Sequence, residues 1–272
     1  MSLSVEQAIT ALDVSIFNIE SQTTINDRRS FLALQAAVRQ HNNGYVYLEC
    51  GSHLGGSLLP HVLDPSCRIV YSVDKRPPEQ PDERGVQFPS TDNSSLRMIA
   101  MLQNHASKEL VAKVQTFDVD ASMLTSSQIQ EKPDLILIDA EHTNAAVFSD
   151  FLSIYRLCQP AAIYAFHDTN LIYSGLQNIE TFLRHVGIDF ASYILPDFVF
   201  ALATNEGKRT LRPIGERSQQ AAILPACPQP AHDGTLRHRA SPFRDAAEAR
   251  SIAAIGAAGI WGPRDRICRC SQ

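Results

Sequence analysis

Apolar residues recur at helical spacing over the first forty positions, then gather from residue 45 onward into short runs of four to six. Ser4-x-x-Gln7 is a capping box ahead of Ile9, Leu12, Ile16 and Ile19, which predicts a first amphipathic helix. Phe31, Leu32, Leu34, Ala37 and Val38 give the buried face of a second, with Asn26 as its N-cap. After the turn His41-Asn42-Asn43-Gly44 the period becomes that of strands: YVYLE (45–49), RIVYSV (68–73), KVQTF (113–117), DLILI (134–138) and AAIYAF (161–166). Helical patterns lie between and after them, at 56–63, 92–104, 145–158 and 173–185. The alternation predicts βαβ units, hence an α/β fold with a doubly wound, mostly parallel sheet covered on both faces. FASYIL (190–195) and FVFALA (198–203) are separated only by Pro196-Asp197, so these two strands are an antiparallel pair closing a seven-stranded sheet. Three segments follow: an added N-terminal helical part (1–43), the sheet domain (44–211) and a tail (212–272).

The tail is set apart by composition. Residues 1–211 carry 15 Lys+Arg against 24 Asp+Glu, whereas residues 212–272 carry nine Arg, no Lys and five acids within an Ala- and Pro-rich stretch. Its one helical pattern, near 244–255, is broken by glycines, so the tail is expected to be mostly disordered. The acidic body argues against nucleic acid as a partner, because phosphate binding needs a basic face. Apolar runs are far shorter than the roughly 20 residues of a membrane span, and the first residues show no secretory pattern. Six cysteines without a framework are read as reduced thiols of a cytoplasmic protein, and Cys268-Arg-Cys270 as no zinc site.

Candidate chemistry clusters at the strand ends, where open α/β sheets bind ligands. The first strand runs into Glu49-Cys50-Gly51-Ser52-His53-Leu54-Gly55-Gly56-Ser57, a loop that turns tightly but lacks the G-x-G-x-x-G spacing of dinucleotide enzymes. The second ends at Asp74, an acid placed to accept ribose hydroxyls. The next three are followed by Asp118-Val119-Asp120, Asp139-Ala140-Glu141-His142 and His167-Asp168-Thr169-Asn170. One such acid is commonly a helix cap; five at one edge form a site suited to a cationic ligand such as a sulfonium.

VYLECGSHLGGS followed by VYSVDKRP resembles the first two motifs of class I S-adenosylmethionine-dependent methyltransferases. LILIDAEHTNAAVFSDF and AFHDTNLIYSGLQNIETFL are similar to a narrower bacterial group of small-molecule O-methyltransferases, the macrocin and cephalosporin-hydroxylase-like enzymes. The likeness covers about residues 27–207. It implies a Rossmann-like methyltransferase fold that methylates a small molecule or sugar. It also implies a cofactor site in which Glu49, Gly51, Ser52 and Gly55 line the methionine side. Asp74 would bind the ribose and Asp120 the adenine amine, with Asp139 beneath the methionine or beside a metal. Asn144 stands where the group commonly has tyrosine.

A hydroxyl acceptor must lose a proton, which calls for a base or a metal. His142 and His167 are the histidines beside acids at strand ends and are the candidate catalytic bases. Asp139, Asp168 and Asn170 are oxygen ligands of the type Mg²⁺ prefers. Related catechol-type enzymes use a similar trio with the last two adjacent, whereas Thr169 intervenes here. Two other classes fit the same elements, a nicotinamide-dependent oxidoreductase and a non-catalytic binding module. Binding of the two cofactors and cofactor turnover discriminate them.

Overall fold

The computed structural model describes residues 3–90 and 93–221. Helix α1 (Val5–Ala11) opens on the expected box: Ser4 Oγ accepts from Gln7 N and Gln7 Oε1 from Ser4 N. It stops early, because Leu12 turns left-handed (φ +55°) and Val14–Ile16 makes a single 3-10 turn. The apolar spacing at 9, 12, 16 and 19 is therefore shared between two elements. Helix α2 (Ile25–His41) is capped by Thr24 rather than Asn26. Thr24 Oγ1 accepts from Asp27 N, and the Asp27 carboxylate accepts from Thr24 N at 2.8 Å. Asn26 already lies inside the first turn.

The chain then continues as β1 (Tyr45–Cys50), α3 (Leu59–Leu63) and β2 (Cys67–Val73). A two-stranded hairpin, β3 (Glu79–Pro81) and β4 (Gln87–Pro89), precedes α4 (Ser95–Gln103), α5 (Lys108–Val111) and β5 (Val114–Phe117). The remainder alternates as β6 (Leu135–Ile138), α6 (Asn144–Tyr155), β7 (Ile163–Phe166) and α7 (Tyr173–His185). It closes with β8 (Phe190–Ile194), β9 (Phe200–Thr204) and α8 (Gly207–Ala221). Every expected strand is present, and the hairpin is additional. Its three-residue strands are mostly exposed, so they carry no alternating apolar signal.

The seven-stranded sheet has the order β5-β2-β1-β6-β7-β9-β8, with only β9 antiparallel to its neighbours. Winding starts at β1, runs outward through β2 to β5, then returns to β6 on the other side of β1. The direction reverses between β1 and β6, and that switch point opens a crevice at the carboxyl ends of these strands. Residues alternate between the two faces with period two. Tyr45 and Tyr47 pack with Leu32, Leu34 and Leu59 on one side, while Val46 and Leu48 pack with Phe151, Ile154 and Ile179 on the other. The helices thus cover both faces, as the alternation requires.

One boundary moves. The expected end of the domain after Leu211 falls inside α8, which carries buried Leu211 and Ile214 onto the sheet. Gly215 sits so close that an added Cβ would overlap the Tyr193 ring of β8. The sequence obscured this because Pro213 and three arginines dilute the helical pattern. The remaining tail, with its 244–255 helical pattern and Cys227, Cys268 and Cys270, lies outside the described residues. Cys50, Cys67 and Cys158 are buried free thiols. No helix among the described residues is long and apolar enough to cross a membrane.

Candidate active site

The loop after β1 is held from both sides. Gly51 has φ +90°, and a Cβ there would overlap the backbone carbonyl of Asp139, so glycine lets this loop lie against the end of β6. His53 is also left-handed (φ +43°), and its N–H donates to Asp74 Oδ2 at 3.0 Å. Glu49 is fully buried beneath the loop, where Tyr47 Oη donates to it at 2.6 Å and Ser57 Oγ at 2.8 Å. Burial pushes the Glu49 carboxyl up to about 8 despite those two hydrogen bonds. Glu49 therefore braces the loop from below. Ser52 Oγ is buried within it and has no hydrogen-bond partner among the described residues.

Asp74, 5% exposed at the end of β2, also accepts from Arg76 N at 2.8 Å. Arg76 is itself left-handed (φ +51°) and tucks its guanidinium behind the loop, donating to His53 O, Asn93 Oδ1 and Asp118 Oδ1. Non-glycine residues in this conformation are uncommon and concentrate at functional sites. In front lies a cavity of about 300 Å³, with Asp74, Asp120, Glu141 and Asp150 in its walls. Asp120 caps the 3-10 turn Ala121–Met123, and its hydrogen bonds from Ser122 hold its carboxyl below the usual range. Lys75 pairs with Glu141 at 2.9 Å across the rim.

Beside this cavity, at the ends of β6 and β7, acids and histidines meet. His142 Nε2 is 3.4 Å from Asp139 Oδ1 and 3.2 Å from Asp168 Oδ2. His167 Nδ1 donates to Asp139 Oδ1 at 3.2 Å, and its Nε2 donates to Asp27 Oδ2 at 3.1 Å. Asp168 reaches the cluster from a left-handed conformation (φ +54°) just past β7. Burial alone would raise the Asp139 carboxyl, but the charge of His167 and hydrogen bonds from both histidines hold it well below the usual range. Burial opposes the charge of His167, yet Asp139, Asp168 and Asp27 push its pKa up to about 12. His142 is raised too, its burial outweighed by Asp139 and then Asp168.

These distances place the two candidate histidines in different surroundings. His167 is 4% exposed, and each of its ring nitrogens lies within hydrogen-bond distance of a carboxylate. These carboxylates favour its cationic form, which lies against Asp139. His142, with its side chain 22% exposed, is the histidine open to an acceptor. Two of the expected metal ligands come together with a histidine. Carboxylate oxygens of Asp139 and Asp168 and an imidazole nitrogen of His142 lie within 4.8 Å of one another, an arrangement able to hold a metal ion. His142 thus stands with the two acids, and the expected Asn170 is exposed two residues after Asp168.

Of the expected cofactor residues, Asp74 and Asp120 line the cavity, Gly51, Ser52 and Gly55 form the adjoining loop, and Asp139 belongs to the metal-type cluster. Asp27 was missed. Its signal was an acid three residues after Thr24, which reads equally well as a capping box. The hairpin was missed too, although it reaches this site. Glu83 N donates to His142 O at 2.9 Å, and Asn144 N donates to Glu83 Oε2 at 2.7 Å. Asp82 shapes the turn between β3 and β4 by accepting from Arg84 N and Val86 N. In this way the hairpin clamps the backbone on both sides of Thr143.

A seven-stranded sheet of this order, with acids at the ends of its first parallel strands and a glycine turn after β1, defines the methyltransferase class. Residues 29–169, a little more than half the chain, match the family described as a methyltransferase domain. The chain belongs to that family, the S-adenosylmethionine-dependent class its motifs resemble, rather than to nicotinamide-dependent oxidoreductases. No curated protein matches it in sequence. Among solved structures it is similar to cofactor-bound Rv0187 from MTB, at 13% identity and TM-score 0.48, over 75% of this chain and 90% of that one. It is also similar to the N-methyltransferase NodS from Bradyrhizobium japonicum in complex with S-adenosyl-L-homocysteine, at 12% identity and TM-score 0.44, over 75% and 100%. A third is MycE from the mycinamycin pathway in complex with Mg and the same product, at 13% identity and TM-score 0.45, over 73% and 55%.

Proposed function

We propose that the chain moves the methyl group of S-adenosylmethionine to a hydroxyl of a small molecule, with a divalent cation such as Mg²⁺ held by Asp139, His142 and Asp168. The observation that carries this reading is the cluster of two carboxylates and an imidazole beside the strand-end cavity. The residues fit the cofactor: Asp74 is buried and anchored for a ribose, and Asp120 faces the cavity for an adenine amine. Ser52 Oγ is a buried polar atom still wanting a partner in the loop on the methionine side. Gly51 and Gly55 keep that loop thin, and Glu49 supports it through Ser57.

Displacement at a sulfonium is in-line, so holding donor and acceptor in register supplies much of the rate. A cation at these donors would lower the pKa of an acceptor hydroxyl. Its ligands are of the hard oxygen and imidazole types that suit Mg²⁺ or Mn²⁺. His167, favoured as a cation, holds Asp139 ionised and aimed at the cluster. A second reading has its own support. His142 is oriented by two carboxylates and partly open, as a general base would be. Chelator should abolish turnover and Mg²⁺ restore it if the cation is required. If His142 is the base, activity survives chelator and falls about 10²–10⁴-fold in His142→Ala. Chelator-insensitive turnover in His142→Ala would sink both readings, and absence of any S-adenosylhomocysteine formation would favour a binding module.

The acidic cavity rim supports a small-molecule acceptor over nucleic acid. Three buried free thiols support a reducing compartment, the cytoplasm.

A further inference from the structure

One wall of the cavity comes from a helix and not from the strand ends. Ala146, Ser149 and Asp150 of α6 line the same 300 Å³ space as Asp74 and Asp120. Asp150 is half-buried there, and its carboxyl makes no hydrogen bond to another described residue. The charged groups around it are Asp120 beyond β5, Lys75 beyond β2 and Glu141 beyond β6. Lys75 is already paired with Glu141. Two acids in so small a space do not both ionise freely, and their surroundings separate them. Ser122 holds Asp120 in its charged form, while burial, then Asp120, push Asp150 up to about 7 against the pull of Lys75. Near neutrality the walls of one cavity thus carry both an acceptor and a donor, because a protonated carboxyl gains an O–H.

An adenine edge presents the complement, an exocyclic amine that donates next to a ring nitrogen that accepts. We propose that Asp120 and Asp150 read this edge together, Asp120 accepting from the amine and the Asp150 carboxyl donating to a ring nitrogen. Asp150 is then a specificity-determining residue for the nucleobase, supplied by a helix that otherwise only covers the sheet. The inference rests on the cavity being the nucleoside site of the proposed cofactor.

Titration calorimetry on the full chain tests it, with S-adenosylhomocysteine and its inosine counterpart, in which a carbonyl replaces the amine. Wild type, Asp150→Asn, Asp150→Ala and Asp74→Ala are compared at about pH 6 and about pH 8, with melting curves to establish folding. Wild-type affinity for the adenosine compound should fall from the lower to the higher pH, as Asp150 loses its proton. Asp150→Asn, whose amide still donates, should bind it as the wild type does at the lower pH and lose the pH dependence. Asp150→Ala should weaken it about 3- to 10-fold, the loss of one neutral hydrogen bond, and narrow the preference over the inosine compound. Unchanged affinity and preference in folded Asp150→Ala, or equal losses in the two Asp150 variants, would overturn the proposal while wild-type binding keeps the cofactor reading. Absence of wild-type binding would remove the cofactor reading and this inference with it, whereas full binding by Asp74→Ala would take the nucleoside out of this cavity and overturn this inference alone.

Discussion

Asp27 Oδ2 lies 3.1 Å from His167 Nε2, joining the first turn of α2 to the end of β7 across 140 residues of chain. Asp27 is wholly buried and also accepts from Phe198 N at 3.0 Å, so one carboxylate ties the N-terminal helix, the β8–β9 turn and the catalytic edge together. The N-terminal helices are thus part of the site's foundation.

Removing His167 leaves Asp27 as a buried acid without its cation and Asp139 with His142 alone. His167→Ala should therefore cost about 3–5 kcal/mol of stability, the usual range for breaking a buried pair. Denaturant melts of His167→Ala and His142→Ala check this. A His167 variant as stable as wild type, with loss confined to turnover, would restore His167 as a candidate base.

Asp74 anchors His53 and Arg76 and faces the cavity. Asp74→Ala should weaken S-adenosylhomocysteine binding by roughly 1.5–3 kcal/mol, the range for a hydrogen bond to a charged group. Calorimetry on variant protein shown to be folded reads this directly, and wild-type affinity would exclude Asp74 from the ribose site.

Glu49 makes stability depend on pH with a definite sign. Its carboxyl titrates near 4.5 in the unfolded chain and at about 8 in the fold, so the native state binds the extra proton between those values. Its contribution is complete below about pH 4.5 and is lost as pH rises through about 8. Thermal melts from pH 5 to 8 should show wild type losing stability relative to Glu49→Gln. Parallel curves would mean that Glu49 is ionised beneath the loop.

The packing of α8 sets the outcome of truncation. A stop after Leu211 deletes Ile214 and Gly215, which lie on the sheet, whereas a stop after Ala221 keeps them. The shorter protein should be less stable by about 1.5–3 kcal/mol for the lost apolar burial alone. Equal melting temperatures for the two would show that the last turns of α8 contribute nothing.

Sheet, winding and most of the ligand edge were legible in the sequence, because strand-sized apolar runs and the polar residues that end them are local features. Asp74, Asp120 and Asp139 could be placed at the edge for the same reason: Asp74 and Asp139 directly follow a strand, and Asp120 comes three residues after one. Which of these groups meet is a different matter. His142 and His167 look alike as sequence, each beside an acid. Only the approach of α2 brings a carboxylate, that of Asp27, to the other ring nitrogen of His167, while His142 stays partly open. Asp150 belongs to the LILIDAEHTNAAVFSDF stretch that carries the family resemblance, yet its place on the cavity wall, like that of Glu83 against Asn144, is set only by folding. Local pattern specifies elements because helix and strand periods act over a few residues. Proton occupancy and donor geometry depend on burial and on charges brought from distant segments, and those exist only once the chain has packed.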